Sequence, residues 1–450
     1  MDTILEEQLE AIAGYYVPSF FRIKLNIHNS DIIHPQNMTV GAYSVYFHEY
    51  VHYIQDVTSN FGLMNLSTIS FYVREVASSI GKQTTGPFSV PQIIQKRDII
   101  GYENWYLKHL YYGNGKEVKE RYKEFKSHEV RSTIIGGQNV DYVVVTFENN
   151  VGKNEEFRFG GYHICESMAA LCQEYAYKPA FDKAGFKYTS HSEYPYGLCY
   201  KIAMEIYPEF ALNKILLIGL CDLSLLTYNA GLTFVSLLKY LKDNDFLDKS
   251  HNETLEQVDD LYKKGCSFIH WDAERFAYIQ KIVKDEVNEY FKCDEFSGNN
   301  EWISIVFKNA LELRSKHPHF IIDFLLFKEG DVRANGKFCE TILKLGSPLT
   351  INDTDDGSFI PPSGFLGIKK FHPALFWAID VVKNIFSGNS DIAVCPIFGY
   401  CKNSCKFLSV ADFTDDRCKK APWERNSDKQ LCPFAVIWRH WNLSGHYPKR

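Results

Sequence analysis

With 450 residues, 45% of them apolar and 23% charged, the chain can bury a large core, and its composition excludes extended disorder. A formal net charge of −6 provides no basic field for a phosphate backbone, so there is no strong nucleic-acid signal. The amino terminus, MDTILEEQLEAIAGYY, is acidic where a signal peptide needs basic residues. Seven cysteines are scattered singly through apolar sequence, as in reduced proteins, and both features predict a cytoplasmic protein.

In chain order, a helix is expected near Thr3 to Ala13, then a half-buried strand from Phe20 to Ile27, where apolar and polar residues alternate. Thr39 can cap a helix from about Val40 to Val57, on which Tyr43, Tyr46, Phe47, Tyr50, Val51 and Ile54 make a broad apolar surface. Helical sequence continues to about Ser79, a loop follows through Gly81 to Pro91, and a further helix is predicted from Tyr106 to Lys126. Asp141 to Glu148 and Glu155 to Phe159 flank Asn149-Asn150-Val151-Gly152, which reads as a hairpin. Gly160-Gly161 breaks the second strand, and a helix runs from about Tyr162 to Tyr177, with Pro179 helping to end it.

From Phe181 to Phe327 the periodicity is chiefly helical, as in Ala273 to Lys292. Ile215 to Leu238 is apolar and long enough to cross a bilayer. Asp222, Asn229 and Gly231 interrupt it, so a buried helical pair turning near Asn229-Ala230-Gly231 is expected, with no membrane partner. Gly346 to Pro373 reads as an extended loop before a helix from Ala374 to Phe386. The predicted fold is α+β and predominantly helical, with a core at 1–180 containing a small sheet, a helical domain at 181–390 and a cysteine-rich module at 391–450.

The chemistry is concentrated in His48-Glu49-Tyr50-Val51-His52. Histidines four apart on a helix project from one face and can bind a single zinc ion, while Glu49 can take the proton of a water in the open position. Random placement would give the pattern about 0.03 times in this composition. Alternatively, the two histidines are polar residues of a buried helix, satisfied by nearby acceptors. A third ligand can be nominated in Glu166, early on the helix after the hairpin, where Ala169 and Ala170 would permit close packing on the first helix. For it the alternative is an exposed or salt-bridged carboxylate.

These residues resemble the HExxH zinc metallopeptidases, or zincins, and especially the gluzincin arrangement in which a downstream helix supplies a glutamate. The resemblance spans about Phe20 to Tyr177. It implies a zincin-like core, Zn2+ bound by His48, His52 and Glu166, Glu49 as general base, and a protein or peptide substrate. The sequence departs from the HExxHxxGxxH extension, since Gln55 and Thr58 stand where Gly and His would be, and the segment from His52 to Glu166 is longer than in compact families. His163, one turn before Glu166, is the first nominee to polarise the scissile carbonyl, or else a fourth ligand closing the site. His128, Tyr162 and His191 are further nominees.

Cys395, Cys401, Cys405, Cys418 and Cys432 crowd the carboxyl terminus in a spacing that matches no standard zinc finger. Cys401, Cys405, Cys418 and Cys432 are selected as ligands of a second structural Zn2+ or an iron–sulfur cluster, with Cys395 as a substitute. Buried thiols packed with Trp423, Phe434, Trp438 and Trp441 are the alternative. The leading functional expectation is a cytoplasmic zinc peptidase with a selective protein substrate. The second is a metal-stabilised binding or sensor protein with a silent zincin core and a tail that recognises a partner or nucleic acid.

Overall fold

The computed structural model describes residues 14–27, 37–94, 99–114, 122–185, 187–188, 191, 194–249, 254–326, 336–388, 394–403, 414–428 and 432–449. The helix expected at Thr3 to Ala13 lies outside them. The chain begins with strands β1 (Gly14–Val17) and β2 (Arg22–Leu25), helices α1 (Val40–Thr58) and α2 (Asn60–Gly81), strand β3 (Pro87–Phe88) and helix α3 (Ile99–Tyr112). Strands β4 (Tyr122–Ile135), β5 (Gln138–Asn149) and β6 (Asn154–Phe159) lead into α4 (Gly161–Lys183). A helical array follows: α5 (Leu198–Ile206), α6 (Pro208–Ala211), α7 (Lys214–Leu225), α8 (Ala230–Asp243), α9 (Phe246–Lys249), α10 (Thr254–Phe268), α11 (Ala273–Tyr290), α12 (Ser297–Lys316), α13 (Phe320–Leu325) and α14 (Gly336–Leu345). Strands β7 (Leu349–Ile351) and β8 (Gly357–Ser358), helices α15 (Ala374–Phe386), α16 (Phe398–Asn403) and α17 (Pro433–His440), and strand β9 (Tyr447–Pro448) complete it. The fold is α+β and predominantly helical.

Helix α1 is the axis of the core. Thr39 caps it, its hydroxyl accepting from Ala42 N–H at 3.2 Å. The aromatic side chains Tyr46, Phe47, Tyr50 and Tyr53 are almost fully buried. Burying tyrosine hydroxyls requires acceptors, and Tyr50 and Tyr53 donate to Gly346 O and Leu345 O at 2.7 and 2.8 Å. At the far end Ser59 donates to Gln55 O and accepts from Gly62 N–H, turning the chain into α2. A Cβ at Gly62 would stand 2.2 Å from Asp56 O, so only glycine lets α2 start this close to α1.

One sheet has the order β1-β2-β7-β8, in which β2 pairs parallel with β7 through Arg22 and Leu349. It thus joins residues from the expected units 1–180 and 181–390. The segment Gly346 to Pro373, expected as a loop, supplies β7 and β8. Leu349, Thr350 and Ile351 are all buried, which removes the alternation that marks a half-exposed strand.

A second correction concerns Tyr106 to Lys126. Helix α3 ends at Tyr112, Gly113 takes a φ of +89°, and β4 begins at Tyr122. The ladder with β5, running from Tyr122–Asn149 to Ile135–Gln138, recruits residues whose local pattern also suits a helix. The hairpin of β5 and β6 forms around Asn149, whose side-chain oxygen accepts from Val151 and Lys153 N–H. Helix α4 continues through Pro179 to Lys183, because a proline in the last turns removes one backbone bond without stopping the helix.

The apolar stretch Ile215 to Leu238 forms the pair α7 and α8, divided where Asn229 caps α8. Among the described residues no helix is long and apolar enough to cross a membrane. Asp222 of α7 is instead buried against Arg314 of α12. Each of the five Arg314 N–H groups has an acceptor at 2.6–3.1 Å, in Asp222 Oδ1 and Oδ2, Thr58 O and Oγ1, and Pro318 O. Tyr262 OH also donates to Asp222 at 2.6 Å.

Candidate metal centre

Helix α1 places His48 and His52 one turn apart, with their Nε2 atoms separated by 3.2 Å. Helix α4 packs on α1, with Ala169 fully buried, and brings Glu166 to the same point. Glu166 Oε2 lies 3.5 Å from His52 Nε2 and 3.7 Å from His48 Nε2. Among the described residues this is the group of His, Cys, Asp or Glu side chains whose ligand atoms all lie within 4.8 Å of one another.

Two glutamines orient the rings. His48 Nδ1 faces Gln173 Oε1 at 3.1 Å, and His52 Nδ1 faces Gln55 Oε1 at 2.8 Å. An amide oxygen only accepts, so each Nδ1 carries a hydrogen and each Nε2 is left to face the shared point. Gln55 is fixed in turn by donation to Cys165 O at 3.1 Å, and Gln173 by donation to Ser44 Oγ at 3.4 Å.

The cluster is electrostatically primed for a cation. Burial pulls His52 down, but the Glu166 carboxylate outweighs it and pushes the imidazole up to about 9. Burial pushes Glu166 up, and His52 and His48 outweigh that to hold its carboxyl well below the usual carboxylate range. In the metal-free chain a proton therefore occupies the convergence point. Two imidazoles and one carboxylate also form a donor set that suits zinc, which would compete with that proton.

Glu49 is 6% exposed. Burial raises its carboxyl pKa and Glu166 adds to the rise, while His48, His52 and the Tyr16 backbone N–H oppose it. It shares with the cluster a cavity of about 200 Å³, whose wall also includes Tyr16, Asp56, Tyr162 and Tyr196. Asp56 accepts from Tyr16 OH at 2.8 Å and from Ser19 N–H at 2.6 Å, tying α1 to the turn after β1.

His163 does not reach this point. Its Nδ1 accepts from Gly160 N–H at 3.3 Å and its Nε2 faces Tyr194 OH at 3.2 Å, so the ring caps the start of α4. Burial pushes it down to about 3, leaving it neutral. His128 pairs with Glu205 at 2.6 Å. His191 lies closer, its ring 5.2 Å from that of His48 and its Nε2 2.6 Å from Gln173 Oε1. Tyr162 lines the cavity, as does Tyr196, whose ring is 6.0 Å from that of His48. Burial raises the Tyr196 pKa, so its hydroxyl stays protonated as a donor.

Sequence reasoning passed over Tyr196, Gln55 and Gln173. Gln55 had a local signal, three residues after His52 on the same helix. Tyr196 had none, since it sits in a turn placed only by tertiary packing. Comparison of the chain with protein-family models, curated proteins and solved structures found no match.

In the carboxyl-terminal segment Cys418 and Cys432 are buried, as is Cys395, while Cys401 on α16 is half-buried and Cys405 lies outside the described residues.

Proposed function

We propose that the protein is a zinc-dependent hydrolase of peptide bonds, with His48, His52 and Glu166 as metal ligands and Glu49 as general base. The observation that carries this reading is the convergence of His48 Nε2, His52 Nε2 and Glu166 Oε2 on one point, with Glu49 on the wall of the same cavity. The gluzincin-like order of these residues supports it. Zinc held there would lower the pKa of a bound water towards neutrality and polarise a carbonyl.

Glu49 would accept the proton of the attacking water and pass it to the leaving nitrogen, a task suited to a carboxyl raised by burial. Tyr196 takes the role first given to His163, its protonated hydroxyl facing the developing oxyanion. Two features favour an extended peptide. The cavity, at about 200 Å³, is smaller than the roughly 300–1,000 Å³ that encloses a whole small molecule, so only part of the substrate enters it. Strand β1 supplies Tyr15 and Tyr16 to the wall and, among the described residues, is the edge of its sheet, to which a peptide can add. In this reading the enzyme acts in the cytoplasm on a selected protein.

The test is Glu49→Gln, which keeps the shape and removes the base. Zinc content should stay unchanged while cleavage of a proteome-derived peptide library falls by about 10²–10⁴-fold. Full cleavage by the variant contradicts the assignment.

A further inference from the structure

His191, between α4 and α5, has no part in the reaction proposed above, yet its ring lies 5.2 Å from that of His48. It is exposed and is not among the residues that line the cavity beside Glu49, so substrate in that cavity does not meet it. What it meets is Gln173, the buried amide behind His48. His191 Nε2 is 2.6 Å from Gln173 Oε1, the same oxygen that His48 Nδ1 faces at 3.1 Å. The His191 ring also lies on that of Tyr196, with centroids 4.5 Å apart and planes inclined by 32°. This packing fixes the plane of the imidazole and so the direction of its Nε2 bond.

Which end of the Gln173 amide faces the two histidines is settled by Ser44. Its hydroxyl donates its one hydrogen to Gly41 O at 2.7 Å, so toward Gln173 it can only accept. Gln173 Nε2 is therefore the end that faces Ser44 Oγ, at 3.4 Å, and Oε1 is turned to the histidines. An amide oxygen has two lone pairs and no hydrogen, and here His48 Nδ1–H and His191 Nε2–H take both. Turning the amide over would set its NH2 group against two ring N–H groups, and its oxygen against a hydroxyl with no hydrogen left to give.

The two orienting glutamines differ in how they are held. Gln55 donates to a backbone carbonyl, Cys165 O, at 3.1 Å, which anchors it without further help. The donation of Gln173 to Ser44 is longer, and the short bond from His191 supplies the second anchor at the oxygen end. We propose that His191 is a positioning residue for the metal: by donating to Gln173 Oε1 it locks the amide that keeps the hydrogen of His48 on Nδ1 and the Nε2 lone pair on the point shared with His52 and Glu166. This role rests on the reading of that point as a metal site.

The test titrates the full-length metal-free protein with zinc against a chromophoric chelator. His191→Phe keeps a ring beside Tyr196 and removes the donor, and should weaken zinc binding about 3- to 10-fold, the worth of one hydrogen bond. His191→Gln loses the ring but restores an N–H, and should bind zinc more tightly than the phenylalanine variant. In a Gln173→Ala background His191→Phe should change nothing further, because His191 acts through that amide. Nitrogen NMR of the zinc-loaded wild type with isotope-labelled histidine should show a hydrogen on His191 Nε2. An Nε2 without hydrogen overturns the proposal, as does wild-type affinity in His191→Phe, a glutamine variant no tighter than the phenylalanine one, or a further loss in the Gln173→Ala background. Wild-type protein that binds no zinc overturns the metal reading and this role with it, whereas zinc bound equally by wild type and His191→Phe overturns this role alone.

Discussion

Two buried polar clusters flank helix α1, and they differ in how their lone pairs are used. At its end, around Thr58, the guanidinium of Arg314 matches each of its N–H groups to an acceptor on Asp222, Thr58 or Pro318. That cluster is complete within the protein. In the middle of the helix, His48 Nε2, His52 Nε2 and Glu166 Oε2 face one another, all able to accept, with the Nδ1 hydrogens already committed to Gln55 and Gln173. Acceptors gathered without donors are costly when buried unless a cation joins them. The first cluster is therefore structural, and the second is unfinished until it binds a proton or a metal.

The largest effect should come from breaking the complete cluster. Arg314→Met leaves Asp222 buried and uncompensated, and denaturant unfolding should show a loss of about 3–5 kcal/mol, while the folded fraction still binds zinc. Retention of wild-type stability would mean that the pair is not closed. Removing metal should act only on the other cluster. Chelation should lower wild-type stability by the binding contribution, about 2.7 kcal/mol for free zinc at a hundred times its Kd, and leave the melting temperature of His48→Ala unchanged. An equal fall in both proteins would place the metal elsewhere.

A smaller effect isolates the orienting amides. Gln55→Ala frees the His52 ring to rotate, and isothermal titration should find zinc affinity reduced about 10- to 100-fold, with little change in the stability of the metal-free chain. Unaltered affinity would mean that the tautomer is fixed in some other way.

The convergence of His48, His52 and Glu166 was more legible in the sequence than its surroundings because much of it is local. His48 and His52 are joined by helical spacing, Thr39 marks the start of their helix, and Glu166 follows a hairpin and two glycines that announce a new one. His163 misled because it lies one turn from Glu166, yet its ring is drawn back to Gly160 N–H, a demand of helix capping that residue spacing does not reveal. Strand β7 was hidden for a different reason, since a three-residue strand buried on both faces has no period to detect. The cysteine spacing announced a crowded tail, in which Cys395, Cys418 and Cys432 are buried and Cys401 is half-buried. Tyr196 depends wholly on packing.

The most direct test of the central claim is a crystal structure with diffraction data collected on both sides of the zinc absorption edge. An anomalous peak about 2 Å from His48 Nε2, His52 Nε2 and a Glu166 oxygen, on the Glu49 side of the cavity, is the expected result. Fully ordered side chains in zinc-loaded crystals with no peak among them would contradict it.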